Sequence, residues 1–268
     1  MKPPLVILNP LEAKMRLILA IITLFLAAPA CAENDRLIKI DTRPGVTVSF
    51  YYMKREGAKA TLILLPGGAG GIGMKNGIPA SNNFLVRSRD LFAANGFNLA
   101  VVGKPSDKDD LDGTFRISAE HIEDLRRVAA FLKKDAGVPV WVVGTSMGTI
   151  SATALATVVS NEELSGIVLT SSVTQKKTGA VPSQKLESIR LPVLVVHHEY
   201  DECRICVPAE VSQIIRGLKN APIKKEVYLK GGTIPTGNPC EALHWHGFIG
   251  MEKEVVDLIS AWIRNPGP

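Results

Sequence analysis

The sequence lacks the features that mark several specialised classes of protein. Four cysteines in 268 residues are too few for a disulfide-built scaffold. Lysine and arginine form no dense block and the net charge is only +5, so the chain lacks the footprint of a nucleic-acid-binding protein. Apolar residues make up 46% of the chain, which is the share of an ordinary globular protein and excludes general disorder.

Long apolar runs are also scarce, and the one near the N-terminus covers residues 17–30. It is shorter than the roughly 20 residues that span a bilayer. Lys14 and Arg16 precede it, and small residues follow it, which is the pattern of a secretory signal peptide. We therefore expect residues 1–32 to be a signal peptide, and the protein to be periplasmic or secreted without stable membrane insertion after cleavage.

Cleavage is expected after Ala30 or Ala32. Lipid attachment at Cys31 is a minor alternative, because the leucine that usually precedes a lipidated cysteine is absent. Residues 33–268 show no repeat and no linker, so they are interpreted as one domain. Removal of residues 1–32, with three basic residues and one acidic residue, would leave a net charge of about +3.

Five short apolar runs in this domain are typical of strands that are buried on both faces. These runs are residues 60–65, 98–102, 138–143, 166–170 and 192–196. The alternating residues 46–52 predict an earlier, antiparallel strand. Helical patterns lie between and after the runs, at 118–132 behind a cap at Ser118, at 147–159, at 211–218 and at 255–262. Alternating strands and helices predict an α/β fold with a doubly wound, mostly parallel sheet flanked by helices.

A G-x-S-x-G motif formed by Gly144, Ser146 and Gly148 stands between a predicted strand and a predicted helix. The two glycines remove side chains that would collide across a tight turn. The serine hydroxyl would then project at the N-terminus of the helix, where the helix dipole and free N–H groups favour a developing oxyanion. We predict that Ser146 is a catalytic nucleophile.

A serine nucleophile needs a base, and the base needs an orienting acid. Asp201 lies a few residues past a predicted strand, where such an acid is expected, and Glu199 and Glu202 are its rivals. The base is expected in the segment 244–248, before the last helix. His246 is preferred because the following glycine allows a tight turn, and His244 is the alternative.

Two backbone N–H groups are expected to bind the oxyanion. The first belongs to Met147, the residue after the nucleophile. The second comes from the glycine-rich loop 66–71, whose backbone can approach a substrate closely. Gly68 is the preferred donor in this loop, and Ala69 is the alternative.

In residues 46–263 the chain resembles a small member of the α/β-hydrolase superfamily, similar in size to exported bacterial dienelactone-hydrolase-like enzymes. The likeness depends on LPGGAGG, GTSMGT, HHEYD and HWHGF, in that order. It implies a triad of Ser146, Asp201 and His246, and requires no metal or organic cofactor. It departs from many relatives in having Pro66-Gly67 where they carry His-Gly. The polar stretch after residue 170 is too short for a large cap domain.

The fold that the resemblance implies brings the acid and base loops together. Cys203 lies two residues after Asp201, and Cys240 lies six before His246. We therefore predict a Cys203–Cys240 disulfide, with Cys206 reduced or buried. Cys206 is a less favoured bonding partner, and three unpaired thiols are the remaining alternative.

The expected function is hydrolysis of a small-molecule carboxylic ester through an acyl-enzyme. An ester is favoured over a peptide because no additional specificity domain is present. Three alternatives are weaker. They are a non-catalytic binding protein with a hydrolase fold, a thiol-disulfide redox protein that uses Cys203 and Cys206, and a dinucleotide-binding protein that uses the G-x-G-x-x-G at 68–73.

Overall fold

The computed structural model describes residues 35–268, and the predicted signal peptide lies outside the described residues. The strands are β1 Asp35–Arg43, β2 Val46–Met53, β3 Ala60–Leu65, β4 Met74–Lys75, β5 Ile78–Pro79, β6 Phe97–Pro105, β7 Val140–Thr145, β8 Gly166–Thr170, β9 Val193–His198 and β10 Lys224–Leu229. The α-helices are α1 Phe84–Arg87, α2 Arg89–Ala94, α3 Gly113–Arg116, α4 Ala119–Ala136, α5 Met147–Ala156, α6 Val211–Gly217 and α7 Glu252–Arg264. Four 3₁₀ turns lie at Val181–Ser183, Leu186–Ser188, Pro208–Glu210 and Trp245–Gly247.

Eight strands form one sheet in the order β1-β2-β6-β3-β7-β8-β9-β10. The pairs β1–β2 and β2–β6 are antiparallel, and every other neighbouring pair is parallel. The predicted antiparallel strand is confirmed as β2. The sheet is therefore mostly parallel, as the alternation of strands and helices predicts.

Helices cover both faces of this sheet, which confirms the doubly wound arrangement. Successive side chains of β3 point to opposite faces, and both faces are buried. On one face, Ile63 and Leu65 pack in a cluster with residues of α4, α5 and α6. On the other face, Leu62 and Leu64 pack with residues of α1, α2 and α7. Burial of each such side chain stabilises the fold by about 1.5–3 kcal/mol.

The long helix α4 has the predicted start. The Ser118 hydroxyl accepts a hydrogen bond from the backbone N–H of His121 at 3.2 Å, as a capping residue should. The helix ends at Ala136 and is capped by Gly137, whose left-handed φ of 65° favours glycine. The terminal helix α7 is also present and ends at Arg264, with Asn265 as its cap before Pro266.

Some predicted boundaries differ from the structure. The strand predicted at 138–143 begins after Pro139, which has no N–H to donate to a ladder, and runs to Thr145. The strand predicted at 192–196 extends to His198. The helix predicted at 147–159 ends at Ala156.

No large cap domain covers the sheet within residues 35–268, as predicted. Between β8 and β9 the chain forms two short 3₁₀ turns instead. None of the helices in the described part of the chain combines the length and apolar character needed to cross a membrane.

Candidate active site

The predicted site residues lie at the carboxyl ends of parallel strands. The loop 66–71 follows β3, Ser146 follows β7, and Asp201 lies three residues after β9. His246 comes from the long loop between β10 and α7. This edge of an open α/β sheet is where ligands generally bind.

Ser146 occupies a strained turn between β7 and α5. Its φ of 51° and ψ of −126° lie in a region that favours glycine. Its N–H donates to the carbonyl oxygen of Thr170 at 3.0 Å, which ties the turn to β8. A Cβ at Gly144 would lie 2.6 Å from the carbonyl oxygen of Gly148. A Cβ at Gly67, in the loop after β3, would lie 2.8 Å from the Cβ of Ser146. The turn therefore needs a glycine at position 144, and the adjacent loop needs one at position 67.

His246 and Asp201 form a buried hydrogen-bonded pair. His246 Nδ1 lies 2.8 Å from Asp201 Oδ2, and both residues are about 95% buried. The other carboxylate oxygen accepts a hydrogen bond from the N–H of Cys203 at 2.9 Å. The Ser171 hydroxyl donates to the carbonyl oxygen of His246 at 2.7 Å. The carboxylate and the imidazole are therefore fixed from both sides.

The alternative acids and base are engaged elsewhere. Glu199 lies 3.6 Å from the ammonium group of Lys230. Glu202 lies 3.5 Å from Nε2 of His244. The alternative acid and the alternative base therefore pair with each other rather than with Asp201 or His246. The structure thus brings Asp201 and His246 together.

The second ring nitrogen of His246 is available. Nε2 is buried and has no hydrogen-bond partner within residues 35–268. His246 and Ser146 line the same cavity, which has a volume of about 530 Å³. Catalytic hydrogen bonds are often loose without substrate and tighten when it binds. An imidazole with its Nδ1 held by a carboxylate can accept a proton at Nε2.

The glycine-rich loop offers free N–H groups to this cavity. Gly68 and Ala69 both line it, and their N–H groups make no hydrogen bond with the described part of the chain. The N–H of Gly70 closes the loop on the carbonyl oxygen of Gly67 at 3.1 Å. Met147 is the first residue of α5, so its N–H has no acceptor inside the helix. All three predicted donors therefore remain candidates.

The buried side chain of Arg116 holds the glycine-rich loop 66–71 from the interior of the protein. The sequence alone did not predict this role. Its side chain is 1% exposed and donates to the carbonyl oxygens of Gly68 at 3.0 Å and Leu111 at 2.8 Å, and to the hydroxyl of Ser151 at 2.9 Å. Burial lowers its pKa to about 10, so the side chain stays charged at neutral pH. In a trans peptide the C=O and N–H groups point in opposite directions. Arg116 therefore directs the N–H of Ala69 away from the protein interior.

The histidines before Asp201 are packing residues. His197 is fully buried, and burial lowers its pKa to about 4, so it is neutral at neutral pH. His198 stacks on the ring of Trp245 with 5.6 Å between the ring centres. Burial lowers the pKa of His121 to about 3, and its Nε2 lies 2.9 Å from the hydroxyl of Ser151. None of these rings lines the cavity that Ser146 lines.

A disulfide joins Cys203 to Cys240 and so links the loop that carries Asp201 to the loop that carries His246. Cys206 is free and buried, and burial raises the pKa of its thiol. Its sulfur, that of Cys203 and a ring nitrogen of His246 lie within 4.8 Å of one another. Because Cys203 is bonded to Cys240, these atoms do not form a three-ligand metal site in this state. The C-x-x-C pair is likewise not the bonded pair.

The G-x-G-x-x-G at 68–73 does not have the structure that a dinucleotide fingerprint needs. In that motif a helix opens inside the glycine sequence, so that its N-terminus can bind the pyrophosphate. Here residues 68–73 form a loop that leads into β4, and the first helix of the described chain begins at Phe84. The dinucleotide alternative therefore lacks its structural requirement.

Comparison with known proteins identifies the fold. No family model and no curated protein sequence matches the chain. An α/β serine hydrolase homologue from Coxiella burnetii superposes with a TM-score of 0.60 at 14% identity, over 87% of this chain and 99% of that one. An α/β serine hydrolase without a lid from Xanthomonas campestris gives 0.59 at 14% identity, over 90% and 98%. A cold-adapted esterase from an Arctic intertidal metagenomic library gives 0.56 at 18% identity, over 84% and 91%. The chain therefore has the α/β-hydrolase fold.

Proposed function

We propose that the protein is a serine hydrolase that cleaves a carboxylic ester of a small molecule. One observation carries the proposal. His246, held at Nδ1 by buried Asp201 at 2.8 Å, leaves its Nε2 unpaired beside the cavity that Ser146 also lines. A serine nucleophile needs a base that is held in this way, with a nitrogen free to accept the hydroxyl proton, and this supports the proposal.

The proposed reaction is a two-step acyl transfer. His246 Nε2 accepts the hydroxyl proton as Ser146 Oγ attacks the ester carbonyl, and Asp201 stabilises the imidazolium. The N–H group of Met147 and one from the loop 66–71, that of Gly68 or Ala69, bind the oxyanion. His246 then gives its proton to the leaving alcohol, which leaves an acyl-enzyme. Water attacks the acyl-enzyme with the same proton path, and the acid and the free serine are released.

We also propose that the protein is exported, with residues 1–32 as its signal peptide. The basic flank, the short apolar run and the small residues at its end support this. The disulfide between Cys203 and Cys240 fits an oxidising compartment. The intact mass of the protein recovered outside the cytoplasm should correspond to cleavage after Ala30 or Ala32. A mass that includes residues 1–32 would contradict the proposal.

A fluorophosphonate probe tests the nucleophile directly. The mature protein should be labelled on Ser146, because only a serine activated by a base attacks the phosphorus rapidly. Labelling should disappear in Ser146→Ala and persist in Ser260→Ala, a matched control whose buried hydroxyl on α7 has no hydrogen-bond partner among the described residues. Tandem mass spectrometry locates the label. A folded wild-type protein that is not labelled would overturn the proposal and favour the non-catalytic alternative.

Replacing Arg116 tests how the oxyanion loop is positioned. In Arg116→Met the loop loses its bond to the carbonyl oxygen of Gly68. We expect kcat for a short-chain ester to fall about 10- to 100-fold with little change in KM, because a small misplacement of an oxyanion donor acts on the transition state.

The control for this variant is Arg126→Met, which removes an exposed arginine that pairs with Glu163 on the surface. It should leave kcat unchanged. Kinetics should be measured well below the melting temperature of each variant. An Arg116→Met protein with a lowered melting temperature and wild-type kcat would show that the arginine acts on stability alone.

A further inference from the structure

Part of the wall of the candidate cavity is polar. Two segments supply the polar side chains, residues 81–83 before α1 and residues 236–241 in the loop before the base. The polar lining residues in them are Ser81, Asn82, Asn83, Thr236 and Glu241. Much of the remaining wall is glycine and alanine backbone.

Several of these polar groups are free to bind a ligand. The side chains of Asn82, Thr236 and Glu241 make no hydrogen bond or ion pair with residues 35–268. Asn83 uses its side-chain oxygen to cap α1 at the N–H of Leu85, at 3.1 Å, which leaves its NH₂ group free. The cavity therefore presents amide, hydroxyl and carboxylate groups from two loops. Amide and carboxylate oxygens accept hydrogen bonds from hydroxyl groups, and amide NH₂ groups donate to them.

Phe84 and Leu243 are the large apolar side chains that line the cavity in the described part of the chain. The ring of Phe84 is about 1% exposed and packs on Phe248, with 5.0 Å between ring centres. Leu243 also lines the cavity, and its side chain is 40% exposed. Trp245 and Tyr200, which are large enough to line an acyl tunnel, do not line the cavity. An acyl chain that extends past Phe84 and Leu243 would therefore contact water.

The charge of the lining disfavours an anionic substrate. Glu241 carries the only formal charge among the lining side chains in the described chain, apart from any proton on His246. Arg87, the last residue of α1, pairs with Glu252 at 2.9 Å and donates to the carbonyl oxygens of Asn82 and Gly247. Arg116 lies behind the glycine loop and is buried. A carboxylate on the substrate would therefore meet a carboxylate and no free cation.

We propose that the substrate is an ester of a short acyl group, of acetyl size, with a neutral polyhydroxylated alcohol of the sugar class. The alcohol hydroxyls hydrogen-bond to Asn82, Thr236 and Glu241, while the acyl group lies against the glycine backbone beside Ser146. This inference rests on the proposed serine hydrolase function.

The test compares matched esters by continuous titration of the released acid. An O-acetylated methyl glucoside should have a kcat/KM at least tenfold above that of the same glucoside carrying an octanoyl group. It should also exceed, by at least tenfold, the corresponding acetylated methyl glucuronoside, in which a carboxylate replaces one hydroxymethyl group. The kcat/KM for the acetylated methyl glucoside, divided by the kcat/KM for p-nitrophenyl acetate, measures recognition of the alcohol.

Glu241→Gln and Asn82→Ala should each lower that ratio about tenfold. Glu210→Gln, which removes a carboxylate outside the cavity, should not change it. Equal rates for acetyl and octanoyl esters, a preference for the glucuronoside, or an unchanged ratio in both variants would overturn the substrate assignment. If fluorophosphonate still labels Ser146 in that case, the serine hydrolase proposal stands. If the protein neither reacts with the probe nor hydrolyses any ester, both proposals fail.

Discussion

Asp201→Asn is expected to lower kcat for a short-chain ester on the order of 10⁴-fold. The amide would still fill the space of the carboxylate, but it can neither fix the correct tautomer of His246 nor stabilise its charged form. The pair is buried, with 2.8 Å between His246 Nδ1 and Asp201 Oδ2, so water cannot replace the missing charge. The measurement is steady-state hydrolysis of the best substrate found, with the melting temperature as a check on folding.

The matched controls are the neighbouring carboxylates. Glu199→Gln and Glu202→Gln should change kcat less than about twofold, because each carboxylate is at the surface and contacts neither Asp201 nor His246. Ser146→Ala should abolish the reaction more completely than Asp201→Asn. Combining the two changes should add little, because residues that act as one unit are not additive. Substantial activity in Asp201→Asn, or a large loss in Glu202→Gln, would assign the acid elsewhere.

Removing the disulfide is expected to have the largest effect on stability. Cys203 and Cys240 are 37 residues apart in the chain. Closing a loop of that size stabilises a protein by about 4 kcal/mol in the chain-entropy description. For a domain of this length, the loss corresponds to a fall in melting temperature of about 8–16 °C. The double variant Cys203→Ser/Cys240→Ser should show this fall, measured by calorimetry without reductant.

The same variant should lose activity below its melting temperature. The N–H of Cys203 donates to Asp201 Oδ1 at 2.9 Å, so the bridge anchors the residue that holds the acid. A dithiol reductant should lower the melting temperature of the wild-type protein and of Cys206→Ala, since Cys206 is free. It should leave that of the double variant unchanged. A wild-type protein that melts at the same temperature with and without reductant would mean that the bridge does not stabilise the fold.

The centre of the fold was predictable because buried parallel strands leave a strong signal in sequence. Runs such as ATLILL at Ala60–Leu65 are apolar on both faces, and they became the central strands. The edge strands β1 and β10 were not predicted, because few of their side chains are buried and their sequences mix charged with apolar residues. The short helices α1, α2 and α3 have too few turns to show a helical period.

The chemistry of the site was more predictable than its shape. The positions of Ser146, Asp201 and His246 relative to strands and turns follow from local signals, so their location at the same edge of the sheet was expected. The polar side chains that line the cavity could not be predicted in the same way. Asn82 and Glu241 lie in irregular loops, which have no strand or helix pattern in the sequence. Arg116 was also not predicted to be part of the site. Arginine side chains are mostly exposed in proteins, and only the folded structure shows that this one is buried.

The backbone conformation of Ser146 lowers the stability of the fold, while its side chain supplies the hydroxyl that the proposed reaction needs. Holding a side chain at φ 51° and ψ −126° costs about 1–3 kcal/mol. A glycine at this position would recover much of that energy, and it would also remove the hydroxyl. Enrichment of variants for heat resistance alone would therefore favour proteins that have lost the nucleophile, and only a selection that also demands turnover would keep residue 146 a serine.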